Sequence, residues 1–151
     1  MARTLSVKIP TSALIADIEA TIAKIDADVE SYPEKVKQYE SDLANYKTSV
    51  VKFATDYITA NADKIGFDYD STIRLVQNHY SQNKFEIELD ISVIANFPEK
   101  PVKPEQPNSK EHFGREYTTR KAILEKNLRI LKMTSQEEVN ASSYSSVIDL
   151  I

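Results

Sequence analysis

The sequence predicts an α+β protein organised around one long helix. Three observations carry that expectation: an apolar heptad repeat filling residues 11–63, strict apolar and polar alternation within residues 72–94, and a second helical stripe with a basic opposite face over residues 108–133. The expected architecture is a long heptad-repeat helix, kinked or folded as a helical hairpin, with a small antiparallel three-stranded sheet, a second amphipathic helix and a short C-terminal helix. All of it is read as one domain over 1–151.

Residues 3–9 open the chain as a strand. Leu5, Val7 and Ile9 alternate with Thr4, Ser6 and Lys8, the pattern of a half-buried extended segment. Pro10 ends it, and Thr11 or Ser12 is placed to cap a following helix. From there Ile15, Ile22, Val29, Val36, Leu43, Val50 and Tyr57 fall at heptad position a, and Ile18, Ile25, Tyr32, Tyr39, Tyr46, Phe53 and Ala60 at d. Four consecutive d positions from Tyr32 are aromatic, which makes a wide seam whose hydroxyls need an edge or a partner. The stripe reads either as the core face of a helix packing within its own domain or as a seam shared with another helix.

Pro33 removes one amide donor and clashes with the carbonyl four residues back, so a kink or a restart is expected there. Ser31 as N-cap, Pro33 in the first turn and Glu34 reaching back would form a capping box for a restart. The heptad stays in phase across Pro33 and no Gly or Asn supplies a tight turn, which favours a kinked rod on the order of 75 Å long over a hairpin of 12–30 on 32–63. Gly66 reads as the glycine that stops this helix.

Ile73, Leu75 and Val76, then Phe85, Ile87, Leu89, Ile91 and Val93 alternating with Glu86, Glu88, Asp90 and Ser92, predict a β-hairpin over 72–94 whose loop lies at 78–83. With the first strand it would complete the three-stranded sheet. Pro98, Pro101, Pro104 and Pro107 recur every third residue, as in a stiff polyproline II spacer over 98–107. A helix capped by Asn108 or Ser109 then runs to Met133, with Phe113, Tyr117, Leu124, Leu128 and Leu131 on one side and Gly114 inside its first turns. Residues 135–151 form a tail with a capping box at Ser135 and Glu138 and an apolar end, Tyr144, Val147, Ile148, Leu150 and Ile151, of the kind that docks.

Charge separates these parts. The whole chain carries 19 Lys and Arg against 23 Asp and Glu, a net −4, which argues against a strongly basic nucleic-acid binder. The second helix is basic, through Lys110, Arg115, Arg120, Lys121, Lys126, Arg129 and Lys132, while the rod has twice as many acids as lysines. Opposite charge favours docking of that helix on the rod or on a neighbour's rod.

Little in the sequence points to catalysis. With no Cys there is no thiolate ligand or nucleophile, and His79 and His112 stand apart from other metal-ligand residues. Two Gly, where about ten would be ordinary, leave no phosphate loop. Glu86, Glu88 and Asp90 form a row on one strand face, and Asp68 and Asp70 lack the glycine and terminal glutamate of a calcium loop. No apolar run approaches the roughly 18 residues of a membrane span, and the start lacks an export signal, so a cytoplasmic protein is expected.

The opening RTLSVKIPTSALIADIEATIAKIDADV (Arg3 to Val29) with YPEKVKQYE (Tyr32 to Glu40), and the ending LRILKMTSQEEVNASSYSSVIDLI (Leu128 to Ile151), resemble small accessory proteins of tailed phages of actinobacteria. The resemblance covers both ends, leaves the middle unmatched and contains no catalytic motif. It implies expression inside an infected bacterium and a role through binding rather than turnover, as a part of the virion or as an early host-directed factor.

The resulting expectation is a non-enzymatic, self-associating interaction protein without a cofactor, with Tyr32, Tyr39, Tyr46, Phe53 and Tyr57 as the interface and a host or phage protein as a further partner. Two alternatives use Arg115, Arg120, Lys121 and Arg129 to hold anions: a nucleic-acid-associated protein, or an oligomer that captures a nucleotide between subunits.

Overall fold

A computed structural model describes residues 7–77 and 83–151. The fold is α+β, with a 50-residue helix α1 (Thr11–Ala60), a second helix α2 (Arg120–Met133), a short helix α3 (Ser145–Ile148) and three small sheets. The chain divides into two compact units, one formed by Met1–Val36 with Pro104–Ile151 and the other by Lys37–Lys103.

In the first unit the core joins Leu14, Ile18 and Ile25 of α1 to Leu124 and Leu131 of α2, Val147 of α3 and Val139. The spacing of four and then seven on α1, and of seven on α2, presents one stripe from each helix. Lys121, near the start of α2, pairs with Asp26, and Lys132, near its end, pairs with Glu19 at 2.6 Å. The two helices therefore run antiparallel, and the charge complementarity read from the sequence acts within this unit.

Strand β1 (Lys8–Pro10) pairs with a strand late in the chain, Glu138–Asn140, with Ile9 opposite Val139. Flanking bonds extend the pair: the Ala141 N–H donates to the Val7 carbonyl at 2.9 Å, and the Thr11 N–H to the Glu137 carbonyl at 2.8 Å. The expected strand over 3–9 thus lies at Lys8–Pro10 as far as it is described, and it does not join the 72–94 hairpin; residues 3–6 fall outside the described residues. The Thr11 hydroxyl donates to the Gln136 carbonyl at 2.7 Å and ties the start of α1 to the same segment.

The helix predicted over 108–133 is a hairpin followed by a shorter helix. Strands Lys110–Phe113 and Glu116–Thr119 pair antiparallel, with Phe113 opposite Glu116. Gly114 takes φ +63 in the two-residue turn and Arg115 has a negative φ, the arrangement of a type II′ hairpin. Gly114 is accordingly a turn glycine, not a helical one. The N-cap is Thr119, not Asn108 or Ser109: its Oγ1 accepts from the Ala122 N–H at 3.2 Å, while Asn108 Oδ1, across the hairpin, accepts from the Lys121 N–H at 2.9 Å. The tail predicted as one helix over 135–151 holds a strand, a 3₁₀ turn at Ala141–Tyr144 and only four residues of α-helix, so the Ser135 and Glu138 capping box does not form. Its apolar end is docked through Tyr144, Val147, Ile148 and Leu150, with Val147 fully buried, while Ile151 is exposed.

Helix α1 passes through Pro33 without a break, which corrects both the hairpin and the restart. Ser31 is not an N-cap; its hydroxyl donates to the Asp28 carbonyl at 3.2 Å. The Val29 carbonyl lacks its usual donor four residues on. Of the expected 11–63, the α-helix ends at Ala60, where the Asn61 side chain donates to the Tyr57 carbonyl at 2.9 Å and a 3₁₀ turn, Ala62–Lys64, follows. Gly66 therefore does not stop the helix. It lies in a two-residue strand so close to Ser71 that a Cβ would collide with the Ser71 side chain.

Numbered along the chain, the strands after β1 are β2 (Ile65–Gly66), β3 (Ile73–Gln77), β4 (Phe85–Leu89), β5 (Lys110–Phe113), β6 (Glu116–Thr119) and β7 (Glu138–Asn140). The three-stranded sheet has the order β2, β3, β4, with β2 parallel and β4 antiparallel to β3. It is therefore mixed, not antiparallel throughout. The strand expected to reach Ile94 stops at Leu89, because the Asp90 carboxylate accepts from the Ser92 N–H at 3.0 Å and from its hydroxyl, closing a turn.

Between Asn96 and Asn108, both with positive φ, the four prolines Pro98, Pro101, Pro104 and Pro107 are half-buried and the residues between them exposed. One covered residue in three is the periodicity of polyproline II. Among the described residues no helix is long and apolar enough to cross a membrane.

Candidate interaction surface

The unit of residues 37–103 has an inverted apolar balance. Among its described residues the buried hydrophobic ones are Ile73 and Ile94, whereas Val51, Phe67, Tyr69, Phe85, Ile87, Ile91, Val93 and Val102 are exposed. Single exposed apolar residues are ordinary on a soluble protein, but Phe85 at 63% and Ile87 at 49% exposure adjoin on one face of β4. The cause is visible in the sequence order. Strand β4 alternates Phe85, Ile87 and Leu89 against Lys84, Glu86 and Glu88 as a half-buried strand should, yet no described element covers its apolar face beyond half-buried Leu89.

Backbone geometry makes one edge of β4 free as well. The Asp90 N–H donates to the Thr72 carbonyl at 3.0 Å, so residues 72 and 90 form a hydrogen-bonded pair. With Arg74 opposite Glu88 and Val76 opposite Glu86, it is Glu86 and Glu88 whose backbone groups face β3. Phe85, Ile87 and Leu89 turn their N–H and C=O groups the other way, where no described strand lies.

Of the five aromatic residues expected at the interface, Tyr32, Tyr39, Tyr46, Phe53 and Tyr57, all are half-buried. Phe53 stacks on Tyr57 with ring centroids 6.3 Å apart, and Phe97 meets Phe53 edge-on at 5.5 Å. The stripe is therefore partly occupied from within its own unit. Phe67, Tyr69 and Arg74 were not singled out by sequence reasoning. The Arg74 guanidinium lies 3.8 Å from the Tyr69 ring centroid and 3.1 Å from a Glu88 oxygen, while its Nε is buried without a hydrogen-bond partner. An Arg in period with Val76, on the strand face opposite Ile73 and Leu75, is the available signal.

The four cations considered as anion ligands occupy different settings. Arg120 donates from Nε to the Leu150 carbonyl at 2.7 Å. Lys121 is held by Asp26 and lies 3.6 Å from Glu125; the hydrogen bond to Asp26 raises its pKa above the ordinary value, against a smaller lowering by desolvation. Arg115 sits in the β5 and β6 turn and Arg129 on the exposed side of α2. Neighbouring Lys126 pairs with Glu116 at 3.2 Å.

Glu86, Glu88 and Asp90 do not converge, because Glu88 is paired with Arg74 and Asp90 is committed to its turn. Among the described residues no group of three His, Asp or Glu could hold a metal ion. His112 packs beside Tyr117 at 5.0 Å between ring centroids, and His79 lies outside the described residues. Comparison of the chain with protein-family models, with curated proteins and with solved structures returns no match.

Proposed function

We propose that this chain is a non-enzymatic interaction module that self-associates, with residues 37–103 carrying the contact. The observation that supports it most directly is the exposed apolar face of β4 beside an edge that no described strand occupies, in a unit with two buried hydrophobic residues among those described. Burying such side chains contributes about 25 cal/mol per Å² of apolar area, a gain this unit leaves unrealised within the chain. The half-buried Tyr39 and Tyr46 supply amphipathic anchors of the kind that dominate interfaces. A bacterial cytoplasm during phage infection, implied by the resemblance of the two ends, is the setting of this proposal, and a host or phage protein its second class of partner.

Light scattering coupled to size exclusion tests it at micromolar concentration. The expected mass is a multiple of the 17.1 kDa chain. It should fall toward one chain when Phe85→Ser and Ile87→Ser, which remove the exposed apolar pair of β4, are combined. A monomeric mass at every concentration, with or without the substitutions, refutes self-association.

A further inference from the structure

We infer that the free edge of β4 pairs with β4 of a second copy, antiparallel and centred on Ile87, joining two three-stranded sheets into one of six strands. This rests on the self-association reading and specifies the surface and register that reading leaves open.

The register follows from backbone direction. Only Phe85, Ile87 and Leu89 offer outward N–H and C=O groups, so a hydrogen-bonded pair across the junction must join two of these. Setting Ile87 opposite Ile87 uses all three on each copy, pairs Phe85 with Leu89 twice, and forms up to about six hydrogen bonds. A shift of two residues either way loses one of the three pairs. A shift of one brings inward-facing Glu86 or Glu88 to the edge and forms none.

The side chains agree with that register. Phe85, Ile87 and Leu89 of the two copies would form one continuous apolar face, as cross-strand pairing favours. On the other face Lys84 stands opposite Asp90, an attractive pair made twice by symmetry. Glu86 stands opposite Glu88, a mismatch also made twice, and it is softened because Glu88 already holds Arg74 at 3.1 Å. A junction of five residues per strand lies below the roughly 800 Å² per partner of a standard interface, so the contact is expected to be weak and concentration-dependent.

The chain has no Cys, which gives a clean test by cross-linking. Ile87→Cys places two thiols across the two-fold with Cα atoms about 5.5 Å apart, within disulfide range. Glu86→Cys places them roughly 8 Å apart, beyond it. Under mild oxidation Ile87→Cys should become a covalent dimer and Glu86→Cys should remain a single chain. Glu86→Lys, which turns the mismatch into an attractive pair, should lower the dimer dissociation constant by about fivefold. If the wild type is dimeric by light scattering but both cysteine variants cross-link alike, or neither does, the strand register is overturned while self-association stands. If the wild type is monomeric and Ile87→Cys does not cross-link, both fall.

Discussion

Replacing Pro33 by Ala should stabilise the protein, and the sign of the effect distinguishes a continuous helix from a restarted one. Pro33 is exposed in the interior of α1, so its removal uncovers no core surface. The new N–H at position 33 faces the Val29 carbonyl and restores the donor four residues on that Pro33 withholds. A proline in a helix interior costs about 3 kcal/mol relative to Ala. Against this, an Ala frees the unfolded chain by about 1 kcal/mol at most. The Ser31 hydroxyl bond to Asp28 and the Lys35 to Asp28 ion pair at 3.1 Å already brace this turn, and both survive the change. The net gain is about 2 kcal/mol. With a urea dependence of about 2 kcal/mol per molar, the midpoint of far-UV unfolding should rise by about 1 M. Amide exchange at residue 33 should also be protected. If the midpoint is unchanged or falls, Pro33 occupies the tolerant first turn of a second helix and the unbroken α1 is wrong.

Gly114→Ala should destabilise by about 1–2 kcal/mol, because φ +63 is strained for a residue with a Cβ although nothing lies near enough to obstruct one; an unchanged thermal midpoint would remove the type II′ turn. Leu124→Ala, at a fully buried site between α1 and α2, should cost about 3 kcal/mol in denaturant unfolding, and a loss below about 1 kcal/mol would contradict that packing. Asp26→Asn should remove an alkaline dependence of stability. The folded pKa of Lys121 is raised above 10.5, chiefly by its bond to Asp26, so the pair's contribution is complete below pH 10.5 and is lost as pH climbs through the raised value. The difference in midpoint between wild type and variant should therefore shrink above that pH, and a constant difference would refute the assignment.

The parts legible in sequence were those fixed by long periodicity. The seven-residue repeat specifies α1 over 50 residues, and its opposite charge to α2 anticipates docking on a rod, though the pairs Asp26 with Lys121 and Glu19 with Lys132 that orient it come only from the structure. Pro33 was misjudged because its local rule describes a cost, and the turns of helix on either side outweigh one missing bond. The β5 and β6 hairpin was masked because Phe113 and Tyr117 stand four apart, a helical spacing, while Gly114 and the β-branched Thr118 and Thr119 argued for a turn and a strand. The pairing of β1 with β7 rests on three residues a side, too few for any periodic signal. The apolar face of β4 was legible as a face, but its lack of cover depends on what else packs nearby, which no local pattern contains.

The pairing of residues 8–10 with 138–140 sets an order of events during synthesis. Closing a loop of that length carries an entropic cost of about 4 kcal/mol, repaid only once Val139 and Val147 join the core. The unit that contains them is discontinuous in sequence, whereas 37–103 is continuous and can fold first. At translation rates of about 5–20 residues per second, Leu14, Ile18 and Ile25 emerge roughly 5–20 s before Leu131 and Val147. For that interval the growing chain carries an uncovered aliphatic stripe, so the window in which a chaperone engages it is set by the ribosome rather than by the intrinsic folding rate.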